Sequence, residues 1–399
     1  MVVWINNPFD FLPGEGARLQ RYGLLARELV RAGHRVIWWS SDWQHLKKCK
    51  RSAPVEDAEG LHVEIQLIPT WPYTRNIGLR RFLSHWNYAR QWLRISKRWA
   101  ARHAEYRPDV ILCSLPPLDT VCVLPQLKRQ FGCRCIIDIM DAWPETFERV
   151  VPRWLLAPLR WRMARAYRAA DGISAVGETY QRVVDTYLGK ESKPRYVCYH
   201  GIDLVPEKPV EKGCGTTLRL LYIGNMSAAY DLGTVIRAVA EAHHAGCPVT
   251  LALAGDGPQR LELEQLTRTL KAENSIHFQD VLTGVSFENL LRSADVGLIP
   301  MFTQSWVAVP YKLADYAAYG IPVINCLSGE TQSLIERYQA GWYYHATHVE
   351  GLRHVLCSLL KNREEINIAG RNIRRMAEEC FDARVIYPRF VQWLEGEDS

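Results

Sequence analysis

The sequence contains no long hydrophobic run and no paired cysteine motif, and both absences narrow the class of protein. Its 399 residues include no run of ~18 apolar residues, so no segment is predicted to span a membrane. The 11 cysteines are odd in number, form no Cys-x-x-Cys pair and are scattered from Cys49 to Cys380. This pattern argues against a disulfide framework and a zinc site. Because no basic leader precedes Val2, we expect a cytoplasmic protein.

Two further motifs are missing. No Asp-x-Asp pair follows a predicted strand, so we expect neither a divalent metal nor another cofactor. No nucleic-acid recognition motif accompanies the basic residues, so nucleic acid is not an expected partner.

Hydrophobic residues at 48% and charged residues at 23% are typical of a globular chain that buries a core, and the length predicts two domains.

Short runs rich in β-branched residues alternate with amphipathic helical patterns through both halves of the chain. The runs cover residues 2–5, 36–40, 63–68, 110–114 and 135–139, then 218–223, 249–254, 276–278, 296–299 and 322–325. This alternation predicts an α/β protein with two Rossmann-like domains. A stretch rich in Pro, Gly and Lys between them predicts a linker. We therefore assign 1–204 to an N-terminal domain, 205–217 to the linker, 218–380 to a C-terminal domain, and 381–399 to a helix that packs back toward the N-terminal domain.

Each half carries glycines between its first strands and the following helix. Gly14 and Gly16 follow the first strand, and Gly255 with Asp256 follows a strand of the second half. Glycine lets the backbone approach a ligand, and the next helix offers free N–H groups to a phosphate. A tight turn without a ligand explains the same pattern equally well.

Lys312 and Asp315 lie three residues apart at the start of a predicted helix that ends at Gly320. This spacing places both side chains on one helix face near the N-terminus. A diphosphate could meet the lysine and the helix dipole while a ribose diol meets the carboxylate. The alternative is a solvated lysine beside an acid that merely interacts with the dipole.

Several segments together carry a family resemblance that covers nearly the whole chain. In the C-terminal half they are 220–225, 252–258, 293–296 and 312–324; in the N-terminal half they are Gly14, Arg21, 25–29, 33–36, 108–111, 170–173 and 201–203. These segments resemble retaining family 4 glycosyltransferases of GT-B fold. The resemblance implies two Rossmann-like domains facing each other across a cleft, with a nucleotide-sugar donor on the C-terminal domain and the acceptor on the N-terminal domain. We expect the donor to be a UDP-sugar.

The resemblance also implies roles for particular residues. Donor-binding positions would be Gly14, Gly16, Gly224, Asn225, Gly255, Asp256, Lys312 and Asp315. The segment 141–145 resembles the Asp-x-Trp-Pro-Glu segment of relatives that act on lipid-linked glycans of bacterial surface polysaccharides. It implies Asp141 as a catalytic residue with Lys312, and Trp143 and Glu145 as acceptor-binding residues. Asp141 could instead cap the helical turn that follows it.

Three departures from the family pattern keep other functions open. A glutamate expected eight residues before Asp315 is Val307, and the expected Arg and Lys after the Gly224 strand are Asn225 and Tyr230. Met140 stands where many relatives have a histidine. A nucleotide-sugar epimerase of the same fold and a catalytically idle scaffold are therefore alternatives to a transferase.

Residues 75–104 contain eight Lys or Arg and no acid. Within them, 79–99 has the periodicity of a basic amphipathic helix, and Trp86, Trp92 and Trp99 would suit the headgroup layer of a membrane. A second acid-free basic stretch, 153–168, contains Trp154 and Trp161. We expect peripheral contact with an anionic membrane at its inner face. The alternative is an ordinary helix packed on the sheet.

Overall fold

The computed structural model describes residues 1–51, 60–76, 78–149, 151–189, 191–204 and 215–396. The chain forms two compact units. The first comprises Met1–Gly201 and the C-terminal helix that begins at Ala383, and the second comprises Ile202–Asp382. Of the predicted linker, 205–214 lies outside the described residues. Its remainder, residues 215–217, leads directly into a strand that begins at Leu218.

The first unit is built on a parallel seven-stranded sheet. The strands of the unit are β1 (Val2–Asn6), β2 (Arg35–Ser41), β3 (Trp43–Gln44), β4 (Cys49–Lys50), β5 (Glu64–Ile68), β6 (Val110–Leu115), β7 (Arg134–Ile139), β8 (Gly172–Ala175) and β9 (Arg195–Val197). Of these, β3 and β4 form a small antiparallel hairpin outside the sheet. The sheet order is β5-β2-β1-β6-β7-β8-β9. Central strands such as β6 are buried along their whole length, as expected when helices cover both sheet faces.

Five helices accompany this sheet. They are α1 (Arg21–Arg31), α2 (Leu79–Arg102), α3 (Leu118–Phe131), α4 (Ala157–Ala169) and α5 (Glu178–Leu188). Helix α1 begins at Arg21, which is itself buried. Helix α2 confirms the predicted basic helix and extends it to Arg102, and it buries Trp92 completely.

The burial of Trp92 corrects part of the membrane prediction. Trp99 also faces inward, since its ring lies 5.5 Å from that of Trp39 and 6.2 Å from that of Trp4. Of the three tryptophans assigned to the headgroup layer, Trp86 is the one that is exposed. The helix has a packed face and a free face, and Trp92 and Trp99 belong to the packed one. Among the described residues no helix is long and apolar enough to cross a membrane.

The second unit is built on a parallel six-stranded sheet of order β12-β11-β10-β13-β14-β15. Its strands are β10 (Leu218–Ile223), β11 (Val249–Ala254), β12 (Ile276–Gln279), β13 (Val296–Ile299), β14 (Val323–Asn325) and β15 (Gly341–Tyr343). Its helices are α6 (Leu232–His244), α7 (Arg260–Thr269), α8 (Gly284–Ser293), α9 (Tyr311–Ala318), α10 (Glu330–Tyr338), α11 (Val349–Lys361) and α12 (Arg363–Cys380). The prediction of two Rossmann-like sheets is confirmed.

The C-terminal helix α13 (Ala383–Glu395) packs against the first unit. The ring of Phe390 stacks on that of Tyr196 at 5.4 Å, and the Tyr387 hydroxyl accepts a hydrogen bond from the Gly201 backbone N–H at 3.0 Å. Arg134 donates to the Leu394 carbonyl at 2.8 Å. Apolar residues of α13 join those of α1, β1 and β2 in one buried cluster, so this helix completes the core of the first unit.

Candidate functional site

The strand order of the second unit reverses between β10 and β13. Connections leave the two strands toward opposite sheet faces, so a crevice forms at their carboxyl ends. Gly224 follows β10, Gly255 follows β11, and α9 follows β13. The structure thus brings the predicted donor-binding loops and the Lys312 helix to one edge of the sheet.

The two glycine-containing loops of this edge lie against each other. A Cβ atom on Gly255 would lie 2.0 Å from the Gly224 carbonyl oxygen, and Gly255 has a φ of 141°. Gly224 has a φ of 127°, and a Cβ there would lie 3.4 Å from the Lys312 Nζ. Side chains rarely adopt such φ angles, so glycine is required for the approach. The loops therefore present backbone, not side chains, next to the lysine.

Asn225 and Asp256 are exposed residues of these loops. The Met226 N–H donates to the Asp256 carbonyl at 2.9 Å, and the Gly257 N–H donates to the Asp256 Oδ1 at 2.8 Å. The Tyr222 hydroxyl donates to the Asn225 carbonyl at 2.5 Å. These bonds hold the loop backbones in place while the Asn225 side chain stays at the surface.

Lys312 is buried, with 7% of its surface exposed. Its Nζ lies 4.1 Å from the ring centroids of both Tyr222 and Tyr230, and among the described residues it has no hydrogen-bond partner. Burial lowers the pKa of Lys312 to about 7, and the attraction of Asp315 opposes this shift only in part. A buried amine without a hydrogen-bond acceptor is costly, and an anion would remove that cost. The solvated-lysine alternative is therefore wrong.

Asp315 is 6% exposed and lies one turn after Lys312 on α9. The helix is anchored by Tyr316, whose hydroxyl donates to the Leu221 carbonyl at 3.0 Å and accepts from the Ile223 N–H at 3.2 Å. A Cβ on Gly297 would lie 2.7 Å from the Tyr316 ring, so this glycine lets the helix lie close to the sheet. Both Lys312 and Asp315 are therefore held in place by packing in the interior of the unit and are not solvated.

Gly14 and Gly16 lie in the exposed loop between β1 and α1 and have φ angles of 82° and 74°. Glu15 lies between the two glycines, and its carboxylate accepts hydrogen bonds from the Leu12 N–H at 2.8 Å and from Arg51 at 2.5 Å. Both glycines belong to the first unit, whereas the other predicted donor-binding residues belong to the second.

Asp138, at the end of β7, forms a buried network. Arg21 donates to both of its carboxylate oxygens at 2.8 and 2.9 Å, and the Tyr22 and Ser174 hydroxyls each donate at 2.7 Å. Burial alone would raise the pKa of Asp138, but Arg21 and these bonds hold it below its ordinary value. The network joins α1 to β7 and β8, so the Arg21 that carries the family resemblance has a structural role here.

Asp141 follows β7, and its carboxylate accepts from the Trp143 ring N–H and the Thr146 hydroxyl, each at 3.1 Å. Burial raises the pKa of Asp141, against these hydrogen bonds and the attraction of Arg81. The turn through Trp143 and Pro144 follows directly and leads into a 3-10 helix over Glu145–Arg149. A carboxylate with a raised pKa is suited to proton transfer.

Trp143 and Glu145 have different surroundings. The Trp143 ring lies 5.7 Å from that of His85 and 4.6 Å from that of Phe147. Glu145 is 5% exposed; it accepts a hydrogen bond from the Tyr187 hydroxyl, and its Oε1 lies 3.5 Å from the Arg160 Nε. Trp143 thus faces a group of ring side chains, and Glu145 is held among side chains of α4 and α5.

Sequence reasoning missed a group that we call the basic cluster: His45, Lys48, Arg81 and His85. Lys48 donates to the Asn76 side chain at 2.6 Å and Arg81 to the Asn76 carbonyl at 2.5 Å, so the two cations share one neighbour. Arg81 Nε donates to His85 Nε2 at 3.4 Å. The β3–β4 hairpin carries His45 and Lys48, and two-residue strands leave no periodic signal in the sequence.

No group of three or more His, Cys, Asp or Glu side chains within the described ranges is placed to hold a metal ion.

Comparison with known families gives two matches. The family described as Glycosyltransferase Family 4 matches residues 23–205, and that described as Glycosyl transferases group 1 matches residues 217–362. A protein of Escherichia coli strain K12 that carries the name colanic acid biosynthesis glycosyltransferase WcaL is 23% identical over 232 residues. This alignment spans 55% of the chain and 57% of that relative's own length.

Solved structures of low identity share the fold over nearly the whole chain. Sucrose-phosphate synthase from Thermosynechococcus elongatus has a TM-score of 0.76 at 16% identity, covering 99% of this chain and 98% of the other. Anabaena HepE, solved in complex with UDP, has a TM-score of 0.70 at 14% identity, covering 99% and 100%. WaaG, of lipopolysaccharide biosynthesis, has a TM-score of 0.66 at 14% identity, covering 99% and 100%. With both halves matched in sequence and the fold shared, the chain belongs to the group 1, or family 4, glycosyltransferases and has their GT-B fold.

Proposed function

We propose that this chain transfers a sugar from a UDP-sugar to a lipid-linked saccharide with retention of the anomeric configuration. The observation that carries the proposal is Lys312, a buried amine without a hydrogen-bond partner among the described residues, placed at the start of a helix and beside Gly224. An anion at this position would gain the lysine charge and the positive end of the helix dipole.

The donor diphosphate fits this position best. The backbone at Gly224 lies beside the lysine, since a Cβ there would be 3.4 Å from Nζ, and the Tyr222 and Tyr230 rings shield the amine from water. Where relatives use an additional cation, this chain has Tyr230, so Lys312 has the larger share of the diphosphate charge. As the diphosphate leaves, its negative charge grows, and a fixed cation in a site poor in water stabilises it.

Asp315 is proposed to bind the ribose diol, because it lies one helical turn from Lys312 on the same face and is held rigidly by the packing of α9. The choice of UDP draws support from HepE, which has been solved with UDP and with UDP-glucose. Gly14, Gly16, Asn225 and Asp256 are proposed to complete the donor site.

The acceptor is proposed to bind the first unit. Asp141 would orient the attacking hydroxyl and accept its proton, a role that suits a carboxylate of raised pKa. Trp143 and Glu145, which are each 5% exposed, are proposed to help bind the acceptor. No metal and no cofactor is part of the proposal, since Lys312 and backbone N–H groups supply the positive charge. A saccharide linked to a lipid fits the surface described next.

An exposed apolar surface flanks the Trp143 segment, and we call it the apolar patch: Trp71, Leu79, Phe82, Leu83, Trp86, Trp154, Leu155 and Trp161. The Phe82 ring lies 5.4 Å from that of Phe147, and Glu148 pairs with Arg153, so both halves of the patch adjoin one segment. Arg90 lies over the Trp86 ring at 4.6 Å and Arg165 over the Trp161 ring at 4.8 Å. Arginine beside exposed tryptophan suits an anionic lipid surface, so we propose peripheral contact with the inner face of the membrane.

The proposal is tested by assaying transfer from UDP-sugars to a polyprenyl-diphosphate-linked saccharide in the presence of EDTA. Asp315→Ala should weaken UDP binding by about tenfold to a hundredfold, because a charged hydrogen-bond partner contributes ~1.5–3 kcal/mol. Lys312→Ala should lower turnover more than donor affinity, since it stabilises charge that develops in the transition state. Asp141→Asn should leave UDP binding intact. Lys361→Ala, an exposed lysine of α11, is the matched control.

Four outcomes would contradict the proposal. UDP affinity and turnover that stay near wild type in folded Lys312→Ala and Asp315→Ala would make α9 purely structural. An isomer of the donor formed without acceptor would indicate an epimerase. Absence of any nucleotide binding would indicate an idle scaffold, and activity that requires added Mg²⁺ or Mn²⁺ would overturn the metal-free mechanism.

A further inference from the structure

The basic cluster of the first unit has no role in the donor chemistry. Lys48 comes from the turn between β3 and β4, and Arg81 from the first turn of α2. Their shared contact with Asn76 places the two cationic groups within a few ångströms of each other. His45 and His85 adjoin them, since Lys48 Nζ lies 3.3 Å from His45 Nδ1 and Arg81 donates to His85.

The positive charge of the cluster is poorly compensated. Among the described residues neither Lys48 nor Arg81 forms an ion pair with a carboxylate; the Tyr73 hydroxyl interacts with Arg81, and Asp141 attracts it at longer range. Burial and the charge of Arg81 lower the pKa of Lys48 to about 8 and that of His45, with help from Lys48, to about 3. Cations that are partly desolvated and repel each other store energy that a bound anion would release.

A buried donor in the cluster also lacks a partner. His85 is 3% exposed, and because its Nε2 accepts from Arg81, the proton of the neutral ring is on Nδ1. That Nδ1 has no hydrogen-bond partner among the described residues. His85 also lines a cavity of about 10 Å³ with Phe9, Trp43, Tyr73 and Pro117, which has room for about one water molecule.

Aromatic rings surround the cluster on the side of the candidate acceptor residues. The Arg81 guanidinium lies 5.7 Å from the Phe9 ring centroid and 5.3 Å from that of Trp143. The Tyr73 hydroxyl lies 2.6 Å from His45 Nδ1. A charged group bound by Lys48 and Arg81 would therefore lie close to Trp143.

We propose that the basic cluster binds a phosphate or diphosphate group of the acceptor, with Lys48 and Arg81 as its charged ligands. This inference rests on the proposed function, because it assigns the chemical class of that acceptor. Leu79 and Leu83, in the same turn of α2 as Arg81, are 74% and 43% exposed and belong to the apolar patch. A phosphate at Arg81 thus has an exposed apolar surface beside it, as a lipid diphosphate requires.

The test is calorimetric titration of the full chain with inorganic pyrophosphate, geranyl diphosphate and geraniol. UDP is titrated first and kept saturating, so that the site at Lys312 is occupied. We expect pyrophosphate and geranyl diphosphate to bind and geraniol not to bind. Lys48→Gln and Arg81→Gln should each weaken diphosphate binding at least tenfold without changing UDP affinity, and Arg81→Lys should retain more binding than Arg81→Gln. Lys50→Gln and Arg129→Gln, which remove exposed charges elsewhere on the same unit, should match wild type.

Tighter binding of geranyl diphosphate than of pyrophosphate would support a lipid source for the anion, and equal binding would assign recognition to the diphosphate alone. Either result upholds the phosphate subsite. The inference is overturned if no diphosphate binds the UDP-saturated chain, or if its affinity is unchanged in folded Lys48→Gln and Arg81→Gln. If UDP binds in the first titration and either of these results follows, the inference fails while the proposed donor site stands. If UDP does not bind, the proposed function itself fails.

Discussion

The Lys312 amine is buried and has no hydrogen-bond partner among the described residues. Its amine lies between the rings of Tyr222 and Tyr230, and burial lowers its pKa to about 7. Near neutral pH the free lysine is therefore divided between its charged and neutral forms. A negatively charged ligand favours the charged form, so binding should raise the pKa and take up a proton.

This coupling predicts proton uptake when UDP binds. At pH 8 most of the free Lys312 is neutral, whereas the bound form is charged, so close to one proton per site should enter from solution. Calorimetry in two buffers of different ionisation enthalpy measures this number. UDP also changes its own protonation on binding. Because Lys312→Met lacks the lysine but binds the same UDP, the difference in uptake between wild type and Lys312→Met gives the proton taken up by Lys312. Equal uptake by wild type and Lys312→Met would contradict the assignment, as would UDP affinity that increases above pH 7.

The spacing of Lys312 and Asp315 on a helix could be read from the sequence, but their burial could not. Periodicity places the two side chains on one face without revealing what lies opposite that face. The rings of Tyr222 and Tyr230 come from β10 and from the loop after it, about 80 to 90 residues away in the chain. Trp92 was likewise predicted at a membrane and is fully buried, because the periodicity of α2 does not reveal which of its faces is packed.

The two glycine loops of the second unit, at Gly224 and Gly255, provide the backbone of the proposed donor site. Gly255→Ala would place a methyl group 2.0 Å from the Gly224 carbonyl in a backbone conformation with a φ of 141°. We expect a loss of about 2–4 kcal/mol in the free energy of unfolding and a marked loss of UDP affinity, because the loops must separate. Chemical denaturation and calorimetry measure the two effects.

The control for this substitution is Gly233→Ala, in the first turn of α6. Nothing lies within 4 Å of the added Cβ, so stability should change by less than ~1 kcal/mol, in the stabilising direction. Stability and UDP affinity that are equal in the two variants would show that the close approach of the loops has no energetic role.

Which elements could be predicted depended on their length and pattern. Most strands of four to seven residues gave clear apolar runs, as did the three-residue β14, and their alternation with helices indicated the parallel sheets. The β3–β4 hairpin, the four-residue β8 and the three-residue strands β9 and β15 were not identified as strands, because runs this short carry little periodic signal. The hairpin supplies Lys48 and His45, so the basic cluster could not be assembled from the sequence.

At the scale of the whole molecule, the apolar patch predicts reversible attachment to anionic membranes. Liposomes that contain phosphatidylglycerol should retain the protein at low salt and release much of it at high salt, whereas neutral liposomes should retain little. Combining Leu79→Ser, Leu83→Ser and Trp86→Ser should weaken binding at least tenfold, since each side chain loses apolar contact with the bilayer. Cosedimentation measures the bound fraction.

The matched control combines Leu261→Ser, Val281→Ser and Val285→Ser, which are similarly exposed apolar residues of the second unit. It should bind liposomes as wild type does. Equal retention by neutral and anionic liposomes, or no retention by either, would contradict the membrane proposal. So would a weakening of the same size in the control.

The fold class could be predicted because the repeated alternation of strand and helix leaves few alternatives for a chain of this length. The arrangement of the basic cluster could not, because it depends on three segments that are separated in the chain and meet only in the folded unit. Resemblance to a family supplied the donor residues, but it gave no information on Lys48, His45 or His85.

The packing of α13 on the first unit has a consequence for synthesis. The ribosome completes residues 1–201 long before it reaches Ala383, yet α13 contributes Tyr387, Phe390 and Leu394 to the core of that unit. Until the last residues emerge, the surface around Tyr196 and Cys198 that this helix covers stays open to solvent and to chaperones. The first unit to be translated is therefore the last to finish folding, and a chain that stops early leaves it incomplete.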